Sequence, residues 1–169
     1  MPLTADPELF ASAAALGEEL IWLHTFAQRM IGPGRLKGEL PHGRARLARA
    51  ITGSPREFAY HPEAQTLAIG AGAVAPVGPE AWGWSISGFP VVQSWLRYRM
   101  HEGSGRARSF ASPLDRIRPA EWSARYTAEL LELLWVIEAS VARSAEHASM
   151  LDAICDGPLI PPADLGAVG

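Results

Sequence analysis

The chain has 169 residues, 48% of them hydrophobic and 20% charged, with a formal net charge of −3; that balance suits a single domain with a real core and excludes a disordered chain. No apolar run approaches the roughly 20 residues of a spanning helix, and "MPLTADPELF" lacks the basic-then-apolar order of a signal peptide, so a cytoplasmic protein without membrane contact is expected. Cys155 is the only cysteine; it excludes an internal disulfide, and its setting, "LDAICDG", reads as that of a small buried thiol.

From Pro7 to Met30 the apolar residues Leu9, Phe10, Ala13, Leu16, Leu20, Leu23 and Phe26 recur at three- and four-residue spacings, which predicts a long helix burying one stripe, with Asp6 as its N-cap and Pro7 in its first turn. Residues 31–55 carry five glycines, three prolines and several arginines and read as a basic loop, with room for a short helix over Arg44 to Ile51. The segments "EFAY", "TLAIG", "GAVAPV" and "AWGWSIS" are short, apolar or aromatic, and bounded by Pro and Gly; they predict three or four strands of a small antiparallel sheet.

After Gly88 the sequence "FPVVQSWLRYRM" predicts a short amphipathic helix. At 100° per residue Val92, Trp95 and Leu96 share one side, and Gln93 and Arg97 share the opposite one. Arg99 falls back toward the apolar stripe, where its stem can pack while its head reaches solvent or the helix end. Residues 101–118 form a second basic loop containing Arg106 and Arg108. A second long helix is predicted from Pro119, with Trp122, Tyr126, Leu130, Leu133, Leu134 and Ile137 on its buried face. A break near Ser144, acting as a cap, precedes a last short helix over Ala148 to Cys155 that stops at Gly157. The expected fold class is α+β: two long helices packed with a small antiparallel sheet, plus short helices and arginine-rich loops, forming one domain over residues 1–169.

The modest net charge conceals a segregation. Residues 1–28 hold four acids and no Lys or Arg, residues 29–56 seven Lys or Arg against Glu39, residues 88–118 six Arg against Glu102 and Asp115, and residues 121–169 eight acids against two Arg. A local basic patch, rather than the total, sets an electrostatic footprint, so a nucleic-acid surface in the middle of the chain is open, beside the plainer reading that these arginines confer solubility.

Catalytic motifs are not found. The five histidines have no partner at metal-ligand spacing, His24 reads as a hydrogen-bonded helix histidine, and no metal is expected. Glu129 and Glu132 read as a solvated pair on a helix. "GSGR" lacks the Lys-Ser/Thr of a phosphate-cradling loop, and neither a GxGxxG unit nor a GxSxG elbow is present. No cofactor is expected and no residue stands out as catalytic.

The segments "ALGEELIWLHTF", "SISGFPVVQSWLRYRM", "SPLDRIRPAEW", "ELLELLWVIEASV" and "ICDGPLI", in this order, resemble the C-terminal specificity domain of type ISP restriction-modification enzymes, in which helicase, adenine methyltransferase and target-recognition parts are fused. The likeness spans most of residues 9–160 and is most specific at the Ser-Gly-Phe turn with "VVQSWLRYR". It implies a non-catalytic target-recognition domain whose partners are duplex DNA and the methyltransferase and helicase parts of the same system. Under that reading Gln93, Arg97 and Arg99 are candidates to meet the DNA from the short helix, since Gln and Arg suit adenine and guanine edges. Arg106 and Arg108 are candidates for phosphate contacts, and Arg44 and Arg46 supply a second basic surface, together with Arg49. The other class of function is a protein-interaction or scaffold domain of a defence or modification complex, with the six tryptophans as its interface.

Overall fold

The structure, a computed structural model, describes residues 2–32, 34, 37–100, 121–161 and 164. It is α+β and divides into two compact units, residues 1–39 with 142–169, and residues 40–141.

In the first unit Asp6 caps helix α1 (Pro7–His24) by accepting from the backbone N–H groups of Glu8 and Leu9 at 2.9 and 3.2 Å, which satisfies two of the donors a helix start leaves unpaired. The apolar spacing continues to Met30, yet the helix stops six residues earlier. At Thr25 the chain enters a left-handed turn over Phe26, Ala27 and Gln28, held by the Thr25 hydroxyl accepting from Gln28 N–H at 3.2 Å and by Ala27 N–H donating to Trp22 at 2.9 Å. Of the predicted stripe only Leu23 is fully buried, and Phe10 remains 55% exposed. Helix α5 (Ser144–Asp156) begins a turn before the expected Ala148, with Arg143 rather than Ser144 at the capping position; Arg143 is ion-paired with Glu19 of α1. The expected burial of Cys155 is not found: its side chain is exposed, on a helix none of whose residues is fully buried. The ends of this unit pair as short extended segments, Ala5 N–H to Pro158 and Ile160 N–H to Leu3 at 2.7 and 2.8 Å.

The second unit is built on an antiparallel sheet of order β1-β4-β3-β2, with β1 Arg46–Arg49, β2 Phe58–His61, β3 Thr66–Ile69 and β4 Gly72–Ala75. Strands β2 to β4 form a meander whose register pairs Tyr60 with Leu67 and Leu67 with Val74. Period-two alternation therefore sets Leu67, Ile69 and Val74 on one face, all fully buried. The short helix predicted over Arg44 to Ile51 is replaced by β1. Leu47 and Ile51 have helical spacing, but pairing with β4 satisfies the backbone of both segments, and that tertiary gain overrides a weak local preference. The close approach explains Gly72: a Cβ there would lie 2.6 Å from Ile51 Cα and 2.8 Å from Ala50 O.

The predicted strand "AWGWSIS" is also corrected. Pro79 starts a one-turn helix, α2 (Pro79–Trp82), which ends at Gly83. Only Ser85 and Ile86 are extended, as β5, in a two-residue hairpin with β6 (Phe89–Pro90). Helix α3 (Val91–Arg99) follows directly, and α4 (Ala124–Ala142) is the second long helix. Its expected start at Pro119 lies outside the described residues. Val92 and Leu96 of α3, Leu130, Leu134 and Ile137 of α4, and Leu67, Ile69 and Val74 of the sheet share one core cluster. The 3.6-residue period of both helices thus faces the same layer as the period-two stripe of the strands.

Candidate nucleic-acid interface

Helix α3 sorts its polar residues into three environments. Arg97 is exposed in the last turn, on the side away from Val92 and Leu96. Gln93 is half-buried; its amide donates to the Trp82 carbonyl at 2.9 Å, and its other side-chain atom, Oε1, is buried without a partner among the described residues. That bond ties α3 to the end of α2.

Arg99 is enclosed. Its guanidinium lies 3.8 Å from the centroid of Trp95 and 5.5 Å from that of Tyr126, and it is ion-paired with Glu129 at 3.1 Å. Trp95, Trp122 and Tyr126 meet edge to face at 5.6–6.3 Å, so the cation closes an aromatic box, an arrangement that strengthens as water is excluded. Glu129 also accepts from Arg125 at 2.8 Å. Burial pushes the Glu129 carboxyl up, and hydrogen bonds from Arg125 and Arg99 outweigh it, holding the group below the usual carboxylate range. A depressed carboxyl stabilises the fold above its unfolded-state pKa and loses that contribution as pH falls through the folded value. Glu129→Gln is therefore expected to lower the urea midpoint near neutral pH and to flatten its decline in acid, which a pH series of unfolding curves checks.

The second basic group lies on and just before β1, an edge strand exposed along its length. Arg44, Arg46 and Arg49 are all exposed. The Arg46 guanidinium donates to the carbonyls of Gly43 and Ala45 at 2.5 and 2.8 Å and sits 5.6 Å from the Trp135 ring. Trp135 in turn stacks on His42 at 4.5 Å and donates its indole N–H to Ala45 at 2.9 Å, while Glu138 accepts from the Arg44 backbone N–H at 2.5 Å. Gly43 is required at this crossing, where a Cβ would lie 2.7 Å from Trp135 Cδ1. Helix α4 thereby fixes the start of the arginine strand. No sequence signal announces it, because Arg44 and Glu138 are 94 positions apart.

Arg46 and Arg49 share β1, with Arg44 two residues before it, Arg97 stands on another element, and Arg99 and Gln93 are engaged in contacts of the unit itself. Arg106 and Arg108 lie outside the described residues. Two exposed apolar residues that sequence reasoning missed, Ile86 and Phe89, flank the Ser-Gly turn before α3; the alternation around that turn was their only signal. None of the six tryptophans is exposed. Among the described residues no group of three His, Cys, Asp or Glu could hold a metal ion, and no helix is long and apolar enough to cross a membrane.

Comparison with protein families finds a match to the Type ISP C-terminal specificity domain over residues 1–133. It takes in the whole sheet, the β5–β6 hairpin, α3 and the first half of α4, whereas the quoted segment "ICDGPLI" lies beyond it. No curated protein and no solved structure matches the chain.

Proposed function

This chain belongs to the Type ISP C-terminal specificity domain family, which carries target recognition in restriction-modification, and from that membership we propose that it reads duplex DNA through exposed arginines of residues 40–141 and holds no catalytic centre. The observation that carries the reading is the contrast within α3: Arg99 is spent on an aromatic box and an ion pair, whereas Arg97, two residues away, faces solvent. Arg46 and Arg49 on the exposed edge strand, with exposed Arg44 just before it, add positive charge suited to phosphates, and Arg106 and Arg108 belong to the same proposal. Gln93 and Arg99 support the surface by positioning α3 beneath it. The methyltransferase and helicase parts of the system are the proposed protein partners, in a cytoplasmic setting. The scaffold reading loses its main support, since the tryptophans proposed as its interface are buried or half-buried.

The test is a fluorescence-anisotropy titration of mixed-sequence duplexes at several salt concentrations. Binding in the micromolar to sub-millimolar range is expected at low salt, weakening steeply between about 50 and about 200 mM as counterions are no longer released favourably. Incubation with S-adenosylmethionine and DNA is expected to transfer no methyl group. Absence of any binding at low ionic strength would remove the DNA-reading proposal for this chain, and robust methyl transfer would remove its non-catalytic part.

A further inference from the structure

We propose that the β5–β6 hairpin is an apolar wedge that inserts its tip residues, Ile86 and Phe89, into the base stack of the bound duplex. This rests on the DNA-reading proposal above and gives the α3 surface a second mode of contact. The hairpin is as short as a hairpin can be: Ile86 pairs with Phe89 across Ser87 and Gly88, whose φ angles of 50° and 79° are both positive. That pattern belongs to the primed turns, which match the twist of the strands and leave little freedom at the tip. Paired residues project to the same face of a two-stranded ribbon, so the two side chains stand together. Ile86 is 56% and Phe89 52% exposed, and a Cβ added at Gly88 would meet nothing within 4 Å. The base of the hairpin is anchored by Val91 N–H donating to Trp84 at 3.2 Å. A short paired stem thus carries an exposed apolar end.

Charge selects the occupant. From Ala81 to Met100 the chain has no acidic residue and two arginines; Arg99 is ion-paired with Glu129, and Arg97 with the 61%-exposed Tyr98 emerges from the helix that continues the hairpin. Arg97 lies six residues into α3, about 9 Å along its axis, and helical side chains lean toward the N-terminus, back toward the hairpin. A phosphate held by Arg97 therefore brings bases within about three steps of the tip at about 3.4 Å per step. Apolar side chains offered beside a cation are the ordinary means of unstacking a base step, and unstacking costs least where pairing is already broken.

The test compares a short labelled duplex that is fully paired with the same duplex carrying one central mismatch flanked by 2-aminopurine. The 169-residue chain is expected to bind the mismatched duplex about tenfold more tightly, equivalent to about 1.4 kcal/mol, and to raise 2-aminopurine fluorescence as the base unstacks. Phe89→Ser, and separately Ile86→Ser, should abolish the preference and the fluorescence rise, weakening the mismatched duplex more than the paired one. Arg97→Ala should weaken both duplexes and keep their ratio. Equal binding of the two duplexes, or a preference that survives both serine variants, overturns the wedge while leaving the DNA-reading proposal standing. Failure to bind either duplex removes that proposal and the wedge together. If the serine variants change only self-association in sedimentation, the hairpin docks a second copy and the wedge is likewise overturned.

Discussion

Trp95→Ala is expected to lower the unfolding free energy by about 3 kcal/mol, the low end of the range for large aromatic truncations because the ring is only half-buried. The loss has two parts. Edge-to-face contacts with Trp122 and Tyr126 at 6.2 and 6.3 Å disappear, and Arg99 loses the cation–π contact with the ring 3.8 Å beneath its guanidinium. Urea unfolding followed by intrinsic fluorescence and by circular dichroism measures the effect. Trp95→Phe should recover part of it, since a smaller ring still fills the box. A loss below about 1 kcal/mol would mean that the box is surface decoration and not a joint between α3 and α4.

Replacing Arg44, Arg46 and Arg49 together by alanine is expected to reduce DNA affinity by about two orders of magnitude near 0.1 M salt, and to cut the magnitude of the salt slope by up to about three units, one for each lost phosphate contact. Stability should change little. Arg46 loses two hydrogen bonds to backbone carbonyls and a cation–π contact, but an exposed group of this kind contributes about 1 kcal/mol or less. The Arg→Lys triple variant keeps the charge and should keep the slope, which separates phosphate neutralisation from loss of the edge strand's shape. A triple alanine variant that folds normally and binds with the wild-type slope would show that β1 is an edge defended by charge against pairing with other chains, and nothing more.

Much of the fold was legible because its elements are strongly periodic. The apolar stripe of α4 points to one face, and Leu130, Leu134 and Ile137, which it nominates, are buried in the common core. Where local preference and long-range pairing disagree, sequence reading fails. "RARLARAI" has the spacing of a helix, and only β4, more than 20 residues later, makes it a strand. Helix α1 shows the same limit at its end, where Phe26 continues the apolar period although the Thr25 hydroxyl and the Trp22 carbonyl hold the chain in a left-handed turn.

The candidate surface was legible in composition but not in detail. The clustering of arginine, the helix after Gly88 and the outward direction of Arg97 all follow from the residues. So does the packing of Arg99 toward the stripe that holds Trp95, one turn back; its ion pair with Glu129 does not, because Glu129 is 30 positions away and nothing local signals the pairing. For the same reason Gln93, of a type suited to adenine edges, meets the Trp82 carbonyl within the unit, a partner that could not be read from α3 alone.

The most direct measurement of the central claim is the DNA affinity of Arg97→Ala at fixed salt, made beside its melting temperature. The exposed position predicts an unchanged melting temperature together with weaker binding, by about 1–3 kcal/mol at one base position if the arginine reads a base edge, or uniformly across sequences if it holds a phosphate. A marked fall in melting temperature with wild-type affinity would contradict the account: Arg97 would then be a structural partner, and the α3 face would not be the surface that meets DNA.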